Sequence, residues 1–182
     1  MIYGDYDVDG TTAVALVYSF LKEIQSDCIY YIPDRYDEGY GISIKGIDHA
    51  KAENVSLIIA LDCGIKAVDK VSYAQTLGID FIICDHHLPG KTLPEAYAIL
   101  NPKQANCSYP FKDLCGCGIG FKLINALTLE RGGAVDQIIP YMDLVAMAIA
   151  ADMVPMVGEN RVLTYFGIQQ IRENPRLGIR FF

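Results

Sequence analysis

Apolar residues in this chain fall into two kinds of pattern, and the two alternate. Short runs bounded by turn residues, at Met1–Gly4, Cys28–Pro33, Val55–Leu61, Phe81–Cys84 and Ala98–Leu100, read as strands. Between them the period lengthens. Ala13, Leu16, Val17, Phe20, Leu21 and Ile24 recur at helical spacing, which predicts a helix over Thr11–Ile24. Ser43 is placed to cap a second helix running through Glu53, and Val68–Leu77 predicts a third, with Gly78 as its stop. Strands apolar on both faces, separated by helices, require a parallel sheet covered on both sides. Beyond Pro102 the pattern changes: a turn-rich loop to about Gly118 precedes helical stretches at Ile119–Glu130, Val135–Ala151 and Asn160–Glu173. The expected fold class is α/β: a parallel sheet flanked by helices, with a helical C-terminal portion. Residues 1–182 read as one domain, with a sheet core to about residue 102 and a mainly helical cap or connector over 103–182.

Composition narrows the classes. A chain of 182 residues can bury one real core. Its longest apolar runs, Leu57–Leu61 and Leu144–Ala151, stop at Asp62 and Asp152, far short of the roughly 18–20 residues that span a bilayer. Met1-Ile2-Tyr3-Gly4-Asp5 has neither the basic region nor the cleavage site of a signal peptide, so the expected location is cytoplasmic, with no membrane partner. The chain opens inside a strand and closes on Arg180-Phe181-Phe182, two aromatics expected to be exposed, and it reads as a piece of a longer protein. Its net charge of −7 argues against gripping nucleic acid by charge alone, and suits a site for divalent cations. Six cysteines (Cys28, Cys63, Cys84, Cys107, Cys115 and Cys117) lack the spacing of a disulfide framework. Cys107, Cys115 and Cys117 match zinc spacings poorly, and plain thiols are expected.

Open α/β sheets bind ligands outside the carboxyl ends of their strands. Asp5, Asp7 and Asp9 follow the first strand, Asp62 follows Val55–Leu61, and Asp85-His86-His87 follow Phe81–Cys84. Taken singly, each has an ordinary explanation. Asp9 could cap the first helix, Asp62 the turn before Ile65, and the histidines could be loop residues. Taken together they gather carboxylates at one edge with only Lys66 and Arg35 near in sequence, at a cost in repulsion that bound divalent cations remove. Oxygen donors with one or two imidazoles suit Mn²⁺ or Mg²⁺, the histidine favouring Mn²⁺.

These segments resemble the DHH phosphoesterases in their RecJ form. Tyr3-Gly4-Asp5-Tyr6-Asp7-Val8-Asp9-Gly10 is similar to the first motif, Leu61-Asp62-Cys63-Gly64 to the second, Asp85-His86-His87 to the third and Ala151-Asp152-Met153-Val154-Pro155 to the fourth. Pro33–Gly41 and Leu114–Leu123 resemble RecJ in particular. The resemblance implies a Rossmann-like DHH domain and two Mn²⁺ or Mg²⁺ ions. It also implies 5′-to-3′ exonuclease activity on single-stranded DNA, in repair and recombination. Further domains of that family, one of the DHHA1 type and an oligonucleotide-binding fold, have no counterpart in these residues. Carried over, Asp7 binds one metal, Asp9 the other, Asp62 bridges them, and His86 and Asp152 complete the ligands of the second metal. Asp5 lines the site or completes the ligands of the first metal. Asp62 and His87 are the expected catalytic residues, His87 by contact with the scissile phosphate. Arg35 and Lys122 are candidates for the DNA backbone, with plain solvation an equal alternative. Tyr36 and Tyr40 could stack on bases, but packing is the stronger expectation, and His49 reads as structural.

Two alternatives stay open. A small-substrate DHH phosphatase or phosphodiesterase, acting on pyrophosphate or short oligonucleotides, usually begins its first motif with a histidine, where Gly4-Asp5-Tyr6-Asp7 stands here. A non-catalytic DHH scaffold in replication would have an eroded metal site, whereas every expected ligand is present. A dinucleotide-binding module is disfavoured because the first loop lacks Gly-x-Gly-x-x-Gly.

Overall fold

A computed structural model describes residues 1–181; Phe182, one of the two terminal aromatics, lies outside the described residues, and Phe181 is exposed. Five parallel strands form the sheet: β1 (Ile2–Gly4), β2 (Tyr30–Tyr31), β3 (Leu57–Leu61), β4 (Asp80–Cys84) and β5 (Ala98–Leu100), in the order β2-β1-β3-β4-β5. The run expected over Cys28–Pro33 pairs at only two residues, because β2 is an edge strand held by β1 alone.

Alternation along β3 and β4 sends side chains to two cores. Ile58, Ala60, Phe81 and Ile83 face α2 (Ile44–Ala52) and α3 (Val68–Thr76), whereas Leu61 and Cys84 face α1 (Val8–Glu23), α4 (Gly116–Glu130) and α5 (Met142–Ala151). The strands are apolar on both faces because both faces are covered. Residues after 102 thus supply most of one covering layer. α6 (Gly158–Glu173) packs on α5, and a short α7 (Leu177–Arg180), which periodicity did not show, follows.

Three boundaries differ from the sequence reading, each for a local reason. α1 starts at Val8 rather than Thr11, because Asp7 is its cap and its carboxylate accepts from the Gly10 N–H at 2.9 Å. α4 starts at Gly116 rather than Ile119, capped by the Cys115 sulfur, which accepts from the Gly118 N–H. The helix expected over Val135–Ala151 is broken into two 3₁₀ turns, Val135–Gln137 and Ile139–Tyr141, before α5. Pro140 accounts for the break, because it has no N–H for an α-helical bond and its ring crowds the preceding turn.

The loop after β2 is pinned from below. Glu38 accepts from the Tyr31 hydroxyl, the Asp34 N–H and the Ser43 hydroxyl. Fully buried Tyr3 donates to the Gly41 carbonyl at 3.0 Å and accepts from the Ser43 N–H. This fixes Tyr40 and Gly41 against the carboxyl edge of the sheet.

Candidate metal centre

Strand register brings the acidic residues level. Gly4 pairs with Leu61 and Leu61 with Cys84, so Asp5, Asp62 and Asp85 leave three adjacent strands at one height. Asp62 leaves in the left-handed region, at φ 59°, a conformation that aspartate tolerates better than most residues and that turns its carboxylate off the strand axis. Asp9 sits in the first turn of α1, and its two oxygens accept from the Gly116 and Cys117 N–H groups at 2.6 and 2.7 Å. It therefore serves the N-terminus of α4, alongside the Cys115 cap, and not that of α1. Asp152 ends α5, where the negative end of the helix dipole adds to its own charge.

His86 is the hub. Its Nε2 lies 3.2 Å from Asp62 Oδ1, 3.6 Å from Asp152 Oδ2 and 3.9 Å from Asp9 Oδ2. Two donor sets share it: Asp62, His86 and His87, and Asp9, His86 and Asp152, each with its atoms within 4.8 Å of one another. Asp9, Asp62 and His86 are buried, and the sets open to solvent through His87 and Asp152.

The residues fit a divalent cation. Asp62 Oδ1, Asp5 Oδ2 and His86 Nδ1 are buried without a hydrogen-bond partner, and each such group costs about 1–3 kcal/mol. Burial, then the charges of Asp9 and Asp7, push the Asp62 carboxyl up to about 10. Burial likewise raises Asp9, against the hydrogen bonds from Cys117 and Gly116, and raises Asp5. Alone, Asp62 therefore holds its proton at neutral pH, and a cation bound by oxygen and imidazole takes its place.

His87 is oriented from behind. Its Nδ1 lies 2.7 Å from Asp85 Oδ1, and Asp85 also accepts from the His87 and Ile65 N–H groups. Burial works to raise the Asp85 carboxyl, but these hydrogen bonds outweigh it and hold the group low; the same bond to Asp85 raises His87. The Tyr40 hydroxyl lies 3.1 Å from His87 Nε2 and 3.3 Å from the Asp62 carbonyl.

The other expected residues sit as follows. Asp5 is fully buried and accepts from the Gly41 N–H. Asp7 is exposed and belongs to neither donor set among the described residues. Arg35 is exposed, 5.2 Å over the Tyr6 ring; Tyr6 meets Tyr40 edge-on and Tyr40 meets His87 edge-on, so the guanidinium joins the site through aromatics. Lys122 is ion-paired to Glu159, which also accepts from the Tyr109 hydroxyl, and lines a separate groove with Leu100 and Leu114. Tyr36 is 94% exposed, against the packing expected of it, and Tyr40 is half-exposed. His49 packs against Tyr31 with the rings tilted by 38°. All six cysteines are free and none joins a donor set among the described residues.

Three features escaped the sequence reading. The role of Asp85 behind His87 had a signal, an aspartate directly before two histidines. Tyr40 on His87 had none at short range. The approach of α4 to the site was marked only by its glycines: a Cβ on Gly116 would meet Asp62 Cβ at 2.5 Å.

Level carboxylates on a parallel sheet, with paired histidines after the fourth strand, define a class. The chain belongs to the DHH family: the model of the DHH family, N-terminal domain, matches residues 1–149 and ends three residues before Asp152. Within it the chain is similar to the single-stranded-DNA-specific exonuclease RecJ of Bacillus subtilis, at 43% identity over 180 residues, 99% of this chain and 22% of that protein. It is 41% identical to RecJ of Salmonella typhimurium over 94% of this chain and 32% of that protein. The crystal structure of exonuclease RecJ bound to manganese matches with a TM-score of 0.89 at 32% identity, over 99% of this chain and 45% of that one. The chain thus spans less than half the length of each.

Proposed function

We infer that this chain hydrolyses phosphodiester bonds in a metal-dependent reaction, as a 5′-to-3′ exonuclease on single-stranded DNA in cytoplasmic repair and recombination. The observation that carries the reading is the pair of donor sets sharing His86, with His87 held at their solvent side. The relatives' names as RecJ exonucleases, and the manganese in one of their structures, support substrate and cofactor. No helix among the described residues is long and apolar enough to cross a membrane.

Asp9, Asp62, His86 and Asp152 would hold Mn²⁺ or Mg²⁺, with Asp62 shared between two ions and Asp7 and Asp5 completing the first. Bound ions would lower the pKa of water and offset phosphoryl charge. His87, whose imidazolium form Asp85 favours, would donate from Nε2 to a phosphoryl oxygen, a hydrogen bond that strengthens as negative charge develops there. Asp85 positions that imidazole and makes no contact with the phosphate. Arg35 stands where it can meet the strand outside the site.

A calorimetric titration of Mn²⁺, with Asp62→Ala as control, tests the centre: two ions should bind the parent protein and none the variant. End-labelled single strands, pyrophosphate and dinucleotides, compared under the same conditions, test the substrate. Mn²⁺-dependent cleavage by Asp62→Ala would remove the bridging role. Faster turnover of pyrophosphate than of long strands would favour a small-substrate phosphatase.

A further inference from the structure

The donor set of Asp62, His86 and His87 hangs from the ends of β3 and β4, which pair along their whole length. The set of Asp9, His86 and Asp152 has no such frame, because its two carboxylates stand on helices. Asp9 is seated on the Gly116 and Cys117 N–H groups, so the start of α4 fixes it. Asp152 ends α5, is the least buried of the three, and is followed by a turn in which Met153 has φ 54°. Methionine rarely adopts that left-handed conformation, and such strain persists only where neighbouring contacts hold it in place.

One residue ties both segments together. Asn160, fully buried in the first turn of α6, donates through Nδ2 to the Asp113 carbonyl at 2.7 Å and to the Pro155 carbonyl at 3.0 Å. Asp113 lies three residues before Gly116, and Pro155 three residues after Asp152. Leu114 and Cys115, between Asp113 and the seat of Asp9, are buried, so the tie passes through packed chain. The two residues before Asn160 grip the same loop. Glu159 accepts from the Tyr109 hydroxyl and pairs with Lys122 of α4. Gly158, at φ 51°, lies so close to Phe111 that a Cβ would meet its ring at 2.8 Å. Three consecutive residues therefore clamp the approach to α4, and Asn160 extends the clamp to the turn after Asp152. An amide suits this place because it is neutral and has two hydrogens to give. Its Oδ1 is buried with no partner, a cost that the two donated bonds offset.

Resting on the reading of the site as a two-ion centre, we propose that Asn160 is a positioning residue for the ion that Asp9 and Asp152 would hold. It acts through the backbone of both segments, setting how far the end of α5 stands from the start of α4. The set on β3 and β4 needs no such tie. Loss of the tie should therefore weaken one ion and spare the other, which a general loss of stability would not do.

Calorimetric titration of Mn²⁺ into the metal-free protein tests this, with circular dichroism to check folding. Asn160→Ala should bind one ion as the parent does and the other about ten- to a hundredfold more weakly, the usual effect of removing a group that supports a metal ligand. Gly158→Ala reaches the same clamp from the surface, by pressing on Phe111, and should weaken the same ion; it decides the matter if Asn160→Ala does not fold. Gly167→Ala is the control. It strains the same helix by the same substitution, but against Met142, at the far end of α5 from Asp152, and should keep both ions at parent affinity. Parent affinity for both ions in the folded clamp variant, or an equal weakening of both, would overturn the positioning role. So would a control that loses the one ion as the clamp variant does. A parent protein that binds fewer than two ions would overturn the two-ion centre and this role with it. Selective weakening in a protein whose parent hydrolyses no diester would overturn the hydrolase reading and leave the role of Asn160 standing.

Discussion

Replacing Asp62 by Asn should stabilise the cation-free protein while abolishing its response to Mn²⁺. Asn matches Asp in volume and tolerates the φ of 59° found there. The unfolded chain gives up this proton near the ordinary value of 3.8, whereas the folded chain keeps it to about 10. Between those values the native state binds the extra proton, so stability falls as pH rises, by about 1.4 kcal/mol per unit. By pH 7 the loss is on the order of 4 kcal/mol. The substitution removes it but leaves a buried amide to satisfy, at about 1–3 kcal/mol, for a net gain of roughly 1–3 kcal/mol. The parent protein should recover about 2.7 kcal/mol when Mn²⁺ is a hundredfold above its dissociation constant, and the variant nothing. Urea unfolding from pH 5 to 9, with and without Mn²⁺, measures all of this. A variant less stable than its parent across that range, or a metal-free parent whose stability does not change with pH, would refute the reasoning.

Two further outcomes follow from the geometry. Asp85→Asn should lower activity by about ten- to a hundredfold, as for other groups that orient a site imidazole. Since Asp85 raises the His87 pKa, the imidazolium should be lost at lower pH in the variant and the alkaline limb of the pH–rate profile should move down; an unmoved limb would remove Asp85 from this role. Gly167→Ala places a Cβ 2.2 Å from the Met142 carbonyl oxygen and 2.5 Å from Ala146 Cβ, forcing α6 off α5. It should cost about 1–3 kcal/mol of stability, read as a lower urea midpoint.

What the sequence made legible was whatever a local pattern can encode. β3 and β4 are almost pure apolar runs, and the residues at their ends could only fall on one edge of a parallel sheet. Asp62 and His86 are therefore legible as neighbours from the sequence. Helix starts were harder. Asp7 and Asp9 are both good caps two residues apart, and only the contact of Asp9 with α4 decides which one serves α1. That contact joins positions 107 residues apart, beyond the reach of any periodicity. The pairing of Tyr40 with His87 has the same origin: both are fixed by where the loop after β2 is pinned. Lys122 was singled out for its charge, which Glu159 takes up in the fold.

The seat of Asp9 on the first N–H groups of α4 has a consequence for the order of assembly. One donor set, Asp62, His86 and His87, comes from a single stretch, whereas the other draws on positions 9, 86 and 152 and is complete only when α5 is in place. Closing so long a loop costs entropy that only the finished sheet and its covering helices repay. Completion of that second set is then a late act of folding and not its seed, the reverse of small zinc modules that fold around their metal. A nascent chain would leave the ribosome with Asp9 still uncommitted, and only the completed fold brings it to His86 and Asp152.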